Sequence, residues 1–438
     1  MTSILIGGVS TGSGKTIITA SILRALRNRG LKVSGGKVGP DYIDPKFHAV
    51  GSGDFALNLD GWAMSDETLN RNLATLEQRG SDITIIEGVM GLFDGASDGS
   101  SSSAEIAKKL NLPVILCLDV FGQSSSISAI VKGFDSLDKD IKISGIILTK
   151  VGSDKHYQIL KDSLAKHLPH IPLIGGLFRN DIFEIKSRHL GLTTPHPDNH
   201  TELNAVLDEC AKVVEQQLDL NKLIEIAKPS SATMNDKIAV PPFAKHISIA
   251  YDEALSFFYP YIVQQWKSLG IEVSFSSYLR NDPVDEKADA IYLCGGYPEL
   301  YLDKLVKGTD FKDSVLKHAD KGTFIFGECG GFMALGKSIT DKDGKKYETL
   351  GLLDLETSFE KRKLQLSYRH MELLNDCNLG KKGDVYKGHE FHYSTIIHQS
   401  GEPLFKVKDA SNGQMQDVGL INGNVAGSYM HLIEKYEQ

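Results

Sequence analysis

Two consecutive α/β domains are what this sequence predicts, on three observations. Short apolar runs alternate with helical stretches through the first half, a polar segment with prolines interrupts them, and a second alternating series follows. In the first series residues 4–8, 83–87, 114–119 and 143–149 are strand-like, and residues 16–29 set Ile17, Ile18, Ile22, Leu23 and Leu26 along one side of a helix. Apolar strands separated by helices belong to a parallel sheet, because each crossover helix must cover a sheet face. The interruption holds Pro229, Pro241 and Pro242. Beyond it, residues 246–251, 271–274, 290–293 and 323–327 are strand-like and 257–269 helical. The expected division is therefore a first domain over residues 1–225, a linker over 226–245 and a second domain over 246–438.

Composition narrows the function classes. With 41% hydrophobic and 24% charged residues the chain has the make-up of a globular protein, not a disordered one. Its net charge of −8 argues against a nucleic-acid partner, which calls for basic surface. No apolar run reaches the ~18 residues of a membrane span, so no membrane partner is expected. The first residues read as a strand and not as a signal peptide. The five cysteines, Cys117, Cys210, Cys294, Cys329 and Cys377, form no C-x-x-C pair. Scattered thiols of this kind fit a reducing, cytoplasmic setting and exclude a zinc knuckle or a disulfide framework.

The segment from Gly8 to Thr16 joins the first strand to the first helix and ends Gly12-Ser13-Gly14-Lys15-Thr16. Glycines let backbone N–H groups close around phosphate oxygens, with the helix N-terminus adding partial positive charge. Lys15 would reach the terminal phosphates and the Thr16 hydroxyl would bind Mg²⁺, so a Mg–ATP site is expected. Five residues separate Gly8 from Gly14, one more than in the common phosphate loop. This longer loop resembles that of dethiobiotin synthetase and its relatives. It lacks the early lysine of the DNA-partitioning ATPases, since Val9 and Ser10 stand in that region.

Acidic residues follow. In Lys37-Val-Gly-Pro-Asp41-Tyr-Ile-Asp44-Pro two prolines stiffen a loop carrying two carboxylates. Lys37, Asp41 and Asp44 are expected to bind or orient substrate, with Asp41 also a candidate metal ligand. Glu87 ends an apolar strand, where a parallel sheet presents its ligands, and is the stronger metal candidate. Asp94, just before Gly95, reads as either a second ligand or a turn former.

In the second half Phe324-Ile-Phe-Gly327-Glu-Cys329-Gly330-Gly331 runs from an apolar strand through an elbow into a helix-like stretch. Such an elbow exposes a nucleophile, and the helix N-terminus is expected to lower the thiol pKa. Cys329 is thus the candidate nucleophile, with Cys117 and Cys294 read as core. Among fourteen histidines, His431 in Gly427-Ser-Tyr-Met-His is the best candidate base. Gly295, Gly296 and Gly330 are the expected sources of oxyanion-hole N–H groups. Gly388-His389-Glu-Phe-His392 does not match H-E-x-x-H and reads as substrate contact or structural hydrogen bonding.

Taken together, these blocks resemble the cobyrinic acid a,c-diamide synthases of corrin biosynthesis, a family that includes the hydrogenobyrinic acid synthases. Asn58-Leu-Asp60, Glu87-Gly-Val-Met-Gly-Leu-Phe-Asp94-Gly and Cys294-Gly-Gly-Tyr-Pro-Glu299 extend the likeness almost end to end. The resemblance implies a dethiobiotin-synthetase-like domain with a P-loop joined to a type 1 glutamine amidotransferase domain. It implies ATP, Mg²⁺, L-glutamine and a corrin polycarboxylate, whose a and c carboxylates become amides through an acyl phosphate and internally delivered ammonia. Most type 1 enzymes carry a glutamate two positions after the histidine; Ile433 stands there, as is general in the corrin branch, so a Cys329–His431 dyad is expected with no assigned orienter. Tyr368-Arg369 looks like a family segment in which Ser367 replaces glycine, and Arg369 would pair with a substrate carboxylate. Cobyric acid synthase and nickel-sirohydrochlorin a,c-diamide synthase are the related alternatives, and a nucleotide-dependent binding protein with an inactive amidotransferase half is the alternative of another class. A homodimer, and the presence of cobalt in the ring, stay open.

Overall fold

The computed structural model describes residues 1–96, 99–183 and 201–437. The chain divides into two compact units, Met1–Lys237 and Ile238–Gln438.

The first unit is built on β1 (Thr2–Gly8), β2 (Val33–Val38), β3 (Ala56–Leu59), β4 (Ile83–Glu87), β5 (Val114–Asp119), β6 (Ile143–Val151) and β7 (Leu173–Phe178). They lie side by side as β3-β2-β4-β1-β5-β6-β7, every pair parallel. Strands β4, β1 and β5 are buried along almost their whole length, which is why they read as continuous apolar runs. Connections leave β1 toward β2 on one side and reach β5 on the other. The crevice at the carboxyl ends of β1 and β4 is therefore the topological switch point, where such sheets take ligands. Helix α1 (Lys15–Asn28) starts there and buries Ile17, Ile18, Ile22, Leu23 and Leu26. Helix α2 (Asp44–Ser52) follows β2, with Pro45 in its first turn, where a missing N–H costs nothing.

The stretch read as a linker is shared between the units. Lys228 exchanges backbone hydrogen bonds with Ser3, and Ser231 N donates to Leu110 O in the first unit. Ala239 N donates to Gln265 Oε1 and Val240 O accepts from Trp266 Nε1 in the second. These bonds involve backbone groups, which composition does not report.

The second unit has β8 (His246–Ala250), β9 (Glu272–Ser276), β10 (Ala290–Leu293) and β11 (Phe324–Glu328) in a six-stranded sheet completed by Val425–Ser428 and Leu420–Asn422. Its parallel strands β10 and β11 are neighbours, so the loops at their carboxyl ends converge. Residues 338–436 add sheets of four and five strands that are mostly antiparallel. These were not read from the sequence because their strands, such as Gln365–Leu373, are only half buried and show no continuous apolar run. Strand Met430–Tyr436 pairs with Val385–His392 and sets His431 opposite His389.

Candidate active site

The phosphate loop closes tightly on itself. Gly12 and Gly14 are left-handed, with φ +81° at each, and Gly14 precedes the first turn of α1. A Cβ on Gly8 would stand 2.5 Å from Ser13 Oγ and 2.9 Å from Lys15 Nζ, so a side chain there would displace both where the longer loop folds back over its start. Lys15 Nζ donates to Ser10 O (3.1 Å) and, across the crevice, to Met90 O (2.6 Å). Burial lowers its pKa, with Glu87 opposing.

Behind the loop lies a buried ion cluster centred on Glu87. Oε1 accepts from Thr16 Oγ1 (2.8 Å) and Lys37 Nζ (2.9 Å), while Oε2 meets His48 Nε2 at 2.7 Å. Lys37 Nζ also reaches Asp44 Oδ2 at 2.7 Å and Gly88 O at 3.2 Å. Burial by itself would raise the Glu87 pKa, yet Lys37 and His48 outweigh it and bring it to about 2. The same carboxylates hold the Lys37 ammonium above its ordinary range despite burial. Burial and the Glu87 charge push Asp44 up to about 6.

This has a measurable consequence. Glu87 has a folded pKa of about 2 against an ordinary value of 4.5, so its stabilisation is complete above the ordinary value and disappears as pH falls toward 2. Asp44, raised, acts in the opposite sense and loses stabilisation as pH rises through about 6. Glu87→Gln is expected to lower Tm at neutral pH and to flatten its fall on the acid side. Melting curves between about pH 6 and pH 3 check this; a variant with the wild-type slope would show that Glu87 is not the acid-sensitive group.

Cys329 sits between β11 and the short helix Gly330–Leu335 with φ +46° and ψ −101°, a backbone conformation that a side-chain-bearing residue adopts only under strain. Cys329 N donates to Ser428 O (2.8 Å), locking the elbow to the adjacent strand. Burial, then the Glu299 charge, pushes the thiol well above its ordinary pKa, and the backbone N–H groups of Gly296 and Gly330, hydrogen-bonded to it, pull less strongly the other way. The expected lowering by the helix N-terminus is therefore corrected: desolvation wins over the amides. His431 is fully buried. Burial, then His392, brings its pKa down to about 3, so it is a neutral imidazole at physiological pH. Its ring stacks on His389 at 4.8 Å between centroids, and its Nδ1 lies 3.7 Å from Glu328 Oε2. Glu328 is fixed by Tyr292 Oη (2.6 Å) and Leu432 N (3.0 Å).

The comparisons with known proteins divide the chain in the same way. Residues 4–192 match the CobQ/CobB/MinD/ParA nucleotide binding domain, and residues 246–437 match the CobB/CobQ-like glutamine amidotransferase domain. Hydrogenobyrinate a,c-diamide synthase of Brucella anthropi is 40% identical over 437 residues, covering 99% of each chain. The proteins of the same name from Brucella abortus biovar 1 and Rhizobium meliloti are 41% identical, again over 99% of each chain. This chain belongs to the hydrogenobyrinate a,c-diamide synthase family. As a member, it is a synthase that joins a nucleotide-binding domain to a glutamine amidotransferase domain for glutamine-dependent amide formation.

Within this family member several expected residues have other partners. Gly295 is corrected: its N–H is bonded to Phe257 O (3.1 Å), which leaves Gly296 and Gly330 as the N–H donors at the thiol. Its conformation serves His431 instead, because a Cβ there would lie 2.4 Å from His431 Cε1. Gly295→Ala is accordingly expected to displace the imidazole and cut glutamine hydrolysis by about 10²-fold, measured as glutamate release. Arg369 is buried, donates to Glu390 Oε2 from two nitrogens (2.9 and 2.6 Å) and pairs with Asp409, so the structure places it in an ion cluster within the protein. Lys37 is placed as the buried counter-ion of Glu87 and Asp44, with Gly88 O as its third acceptor.

Asp41 is not among the atoms that meet at Glu87; its Oδ1 accepts from Ile43 N (2.6 Å) and Asp44 N (3.1 Å). Asp94 is a turn residue, with Oδ2 accepting from Gly91 N. His392 bonds Glu390 Oε1 and Ser394 O, a structural hydrogen-bonding arrangement, one of the two roles open to that block. Sequence reasoning missed His48 and Glu328. His48 lies one helical turn after Asp44 on α2, a spacing that puts both on one face. Glu328 directly precedes the nucleophile, a position that carries no chemical signal without the fold.

Proposed function

We propose that this protein converts the a and c side-chain carboxylates of hydrogenobyrinic or cobyrinic acid to amides, using ATP and L-glutamine in the cytoplasm. Residues 1–225 form the synthetase, 246–438 the glutaminase, with 226–245 between them. The observation that carries the reading is the strained Cys329 elbow, with two N–H groups at its sulfur and a neutral imidazole beside the same glycine loop, in a chain that also holds a phosphate loop.

In the glutaminase, thiol and imidazole both rest neutral, so the proton moves to His431 as Cys329 Sγ attacks the glutamine side-chain amide. The N–H groups of Gly296 and Gly330 stabilise the oxyanion that develops. Ammonia leaves, a thioester remains, and water hydrolyses it to glutamate and free Cys329. Glu328, 3.7 Å from the imidazole Nδ1 and pushed by burial up to about 7, is drawn toward its ionised form as the imidazolium develops.

In the synthetase the loop residues Gly12 to Thr16 hold ATP, and Lys15 moves from Met90 O to the terminal phosphates. Thr16 and Glu87, in contact at 2.8 Å, are the pair suited to Mg²⁺, which commonly takes one or two carboxylates plus phosphate oxygens. Bound there, Mg²⁺ would neutralise phosphate charge. Asp44 and the neighbouring Asp41 loop orient the substrate carboxylate, which attacks the γ-phosphorus and releases ADP. The resulting acyl phosphate carries phosphate as leaving group in place of hydroxide, and ammonia displaces it. Ammonia must arrive unprotonated because ammonium has no lone pair.

Mass spectrometry of products from hydrogenobyrinic and cobyrinic acids, with ATP and glutamine, tests this reading. Two added amides are expected. No amide on either ring, or amidation of nickel-sirohydrochlorin alone, would overturn it.

A further inference from the structure

Strand Val385–His392 runs between strand Met430–Tyr436, which carries the base, and strand Gln365–Leu373. Its last residues touch both reacting groups. His389 lies opposite His431 in the ladder, and its ring stacks on the imidazole with 11° between the planes. Two residues on, the carbonyl oxygen of Phe391 lies 3.4 Å from Cys329 Sγ. Glu390 stands between them, and its buried carboxylate is held from two sides. Oε2 accepts from Arg369 Nε (2.9 Å) and Nη2 (2.6 Å), and Oε1 meets His392 Nε2 at 2.9 Å. Arg369 is fixed in turn by Asp409, and His392 Nδ1 meets Ser394 O at 3.0 Å. The chain of contacts ends at the nucleophile helix. The His392 ring stacks on Tyr429 with centroids 3.7 Å apart, and Tyr429 packs edge-on against Phe332, three residues after Cys329.

We propose that Glu390, gripped by Arg369, is a positioning residue of the glutaminase: it fixes the segment His389–Phe391, and through that segment the separation of Cys329 and His431. This assignment rests on the glutaminase reading of Cys329 and names what holds its two reacting groups in register. The segment acts as a common ruler, because three consecutive residues meet the base at one end and the nucleophile at the other. The ladder to strand Met430–Tyr436 ends at the Glu390–Met430 pair. The carboxylate anchor therefore sits where that ladder stops, immediately before the carbonyl that meets the sulfur. Stability is a weak reason for a buried pair of this kind, since the cost of taking two charges out of water offsets much of their attraction. Direction is a better one: two N–H groups of a rigid fork converge on one oxygen and leave the other for His392. Burial by itself would raise the Glu390 pKa, yet His392 and Arg369 outweigh it and hold the carboxyl below its ordinary range. On this reading Arg369 serves the glutaminase and not a substrate carboxylate.

The test measures glutamate release from glutamine with ATP and hydrogenobyrinic acid present. Rates are counted per Cys329 that a diazoketone analogue of glutamine alkylates at completion, so unfolded protein does not enter them. Glu390→Gln, which keeps the shape and removes the charge, is expected to lower kcat roughly 100-fold while the glutamine KM stays within about threefold. Arg369→Lys, which keeps the charge and removes the fork, should lower kcat about tenfold. Arg369→Gln combined with Glu390→Gln should be no slower than Glu390→Gln alone, because both act through one contact. A Glu390→Gln enzyme with the wild-type kcat per titrated thiol overturns the proposal, as does a double variant whose losses multiply. So does an Arg369→Lys enzyme with normal glutamate release; a raised KM for the corrin acid in that enzyme would return Arg369 to the substrate. If wild-type protein releases no glutamate at all, the glutaminase reading itself has failed.

Discussion

Cys329→Ala is expected to reduce amide formation from glutamine by on the order of 10⁴-fold or more, while synthesis from ammonium salts continues. The size follows from the chemistry, since without the sulfur there is no thioester and His431 has no nucleophile to activate. Structural damage would not explain the loss. Alanine carries a Cβ as cysteine does, so the left-handed backbone at φ +46° is neither relieved nor worsened. The contacts given up are the 3.4 Å one from Sγ to Phe391 O and those from the Gly296 and Gly330 N–H groups to the sulfur, all weak thiol interactions. Paired rate measurements with glutamine and with ammonium chloride check the prediction. Near-normal turnover with glutamine would end the thioester mechanism.

Lys15→Ala should have the complementary signature. Synthesis is expected to fall by about 10³-fold with either nitrogen source, because both need the same acyl phosphate. Hydrolysis of glutamine to glutamate should persist. The ammonium is held in reserve by Ser10 O and Met90 O, two backbone acceptors it can exchange for phosphate oxygens. Removing it leaves those carbonyls without this donor, so a melting curve belongs beside the kinetics. Unchanged ATP-dependent synthesis would show that the loop does not serve the nucleotide as proposed. The two variants together test whether each half of the chain performs one half of the reaction.

Much of this was legible in the sequence, for reasons that differ by residue. Strands buried on both sides announce themselves, so β4 and β10 cover the very residues their apolar runs indicate. The position of Glu87 was legible because a parallel strand ends at the crevice of the sheet, whereas its buried partners Lys37 and His48 were not. The thiol elbow was legible because glycines crowd where a short helix meets a strand. The ion partners of Arg369 and Lys37 were not legible, because Glu390, Asp409 and Asp44 reach them only through strand pairing and helix placement. Gly295 misled because the direction of an N–H depends on its neighbouring segment, here Phe257. Glu390 and Glu328 acquire meaning only from burial, a property of the whole fold.

The backbone at Cys329 also limits how this enzyme can become more stable. Left-handed geometry costs a non-glycine residue roughly 1–2 kcal/mol, so glycine would relieve the tension at this one position and abolish the chemistry. Selection for thermal robustness and selection for turnover pull in opposite directions there. Stabilising changes must accumulate elsewhere, in the surrounding strands that hold the elbow bent, and the cysteine stays as a spring the rest of the domain keeps compressed.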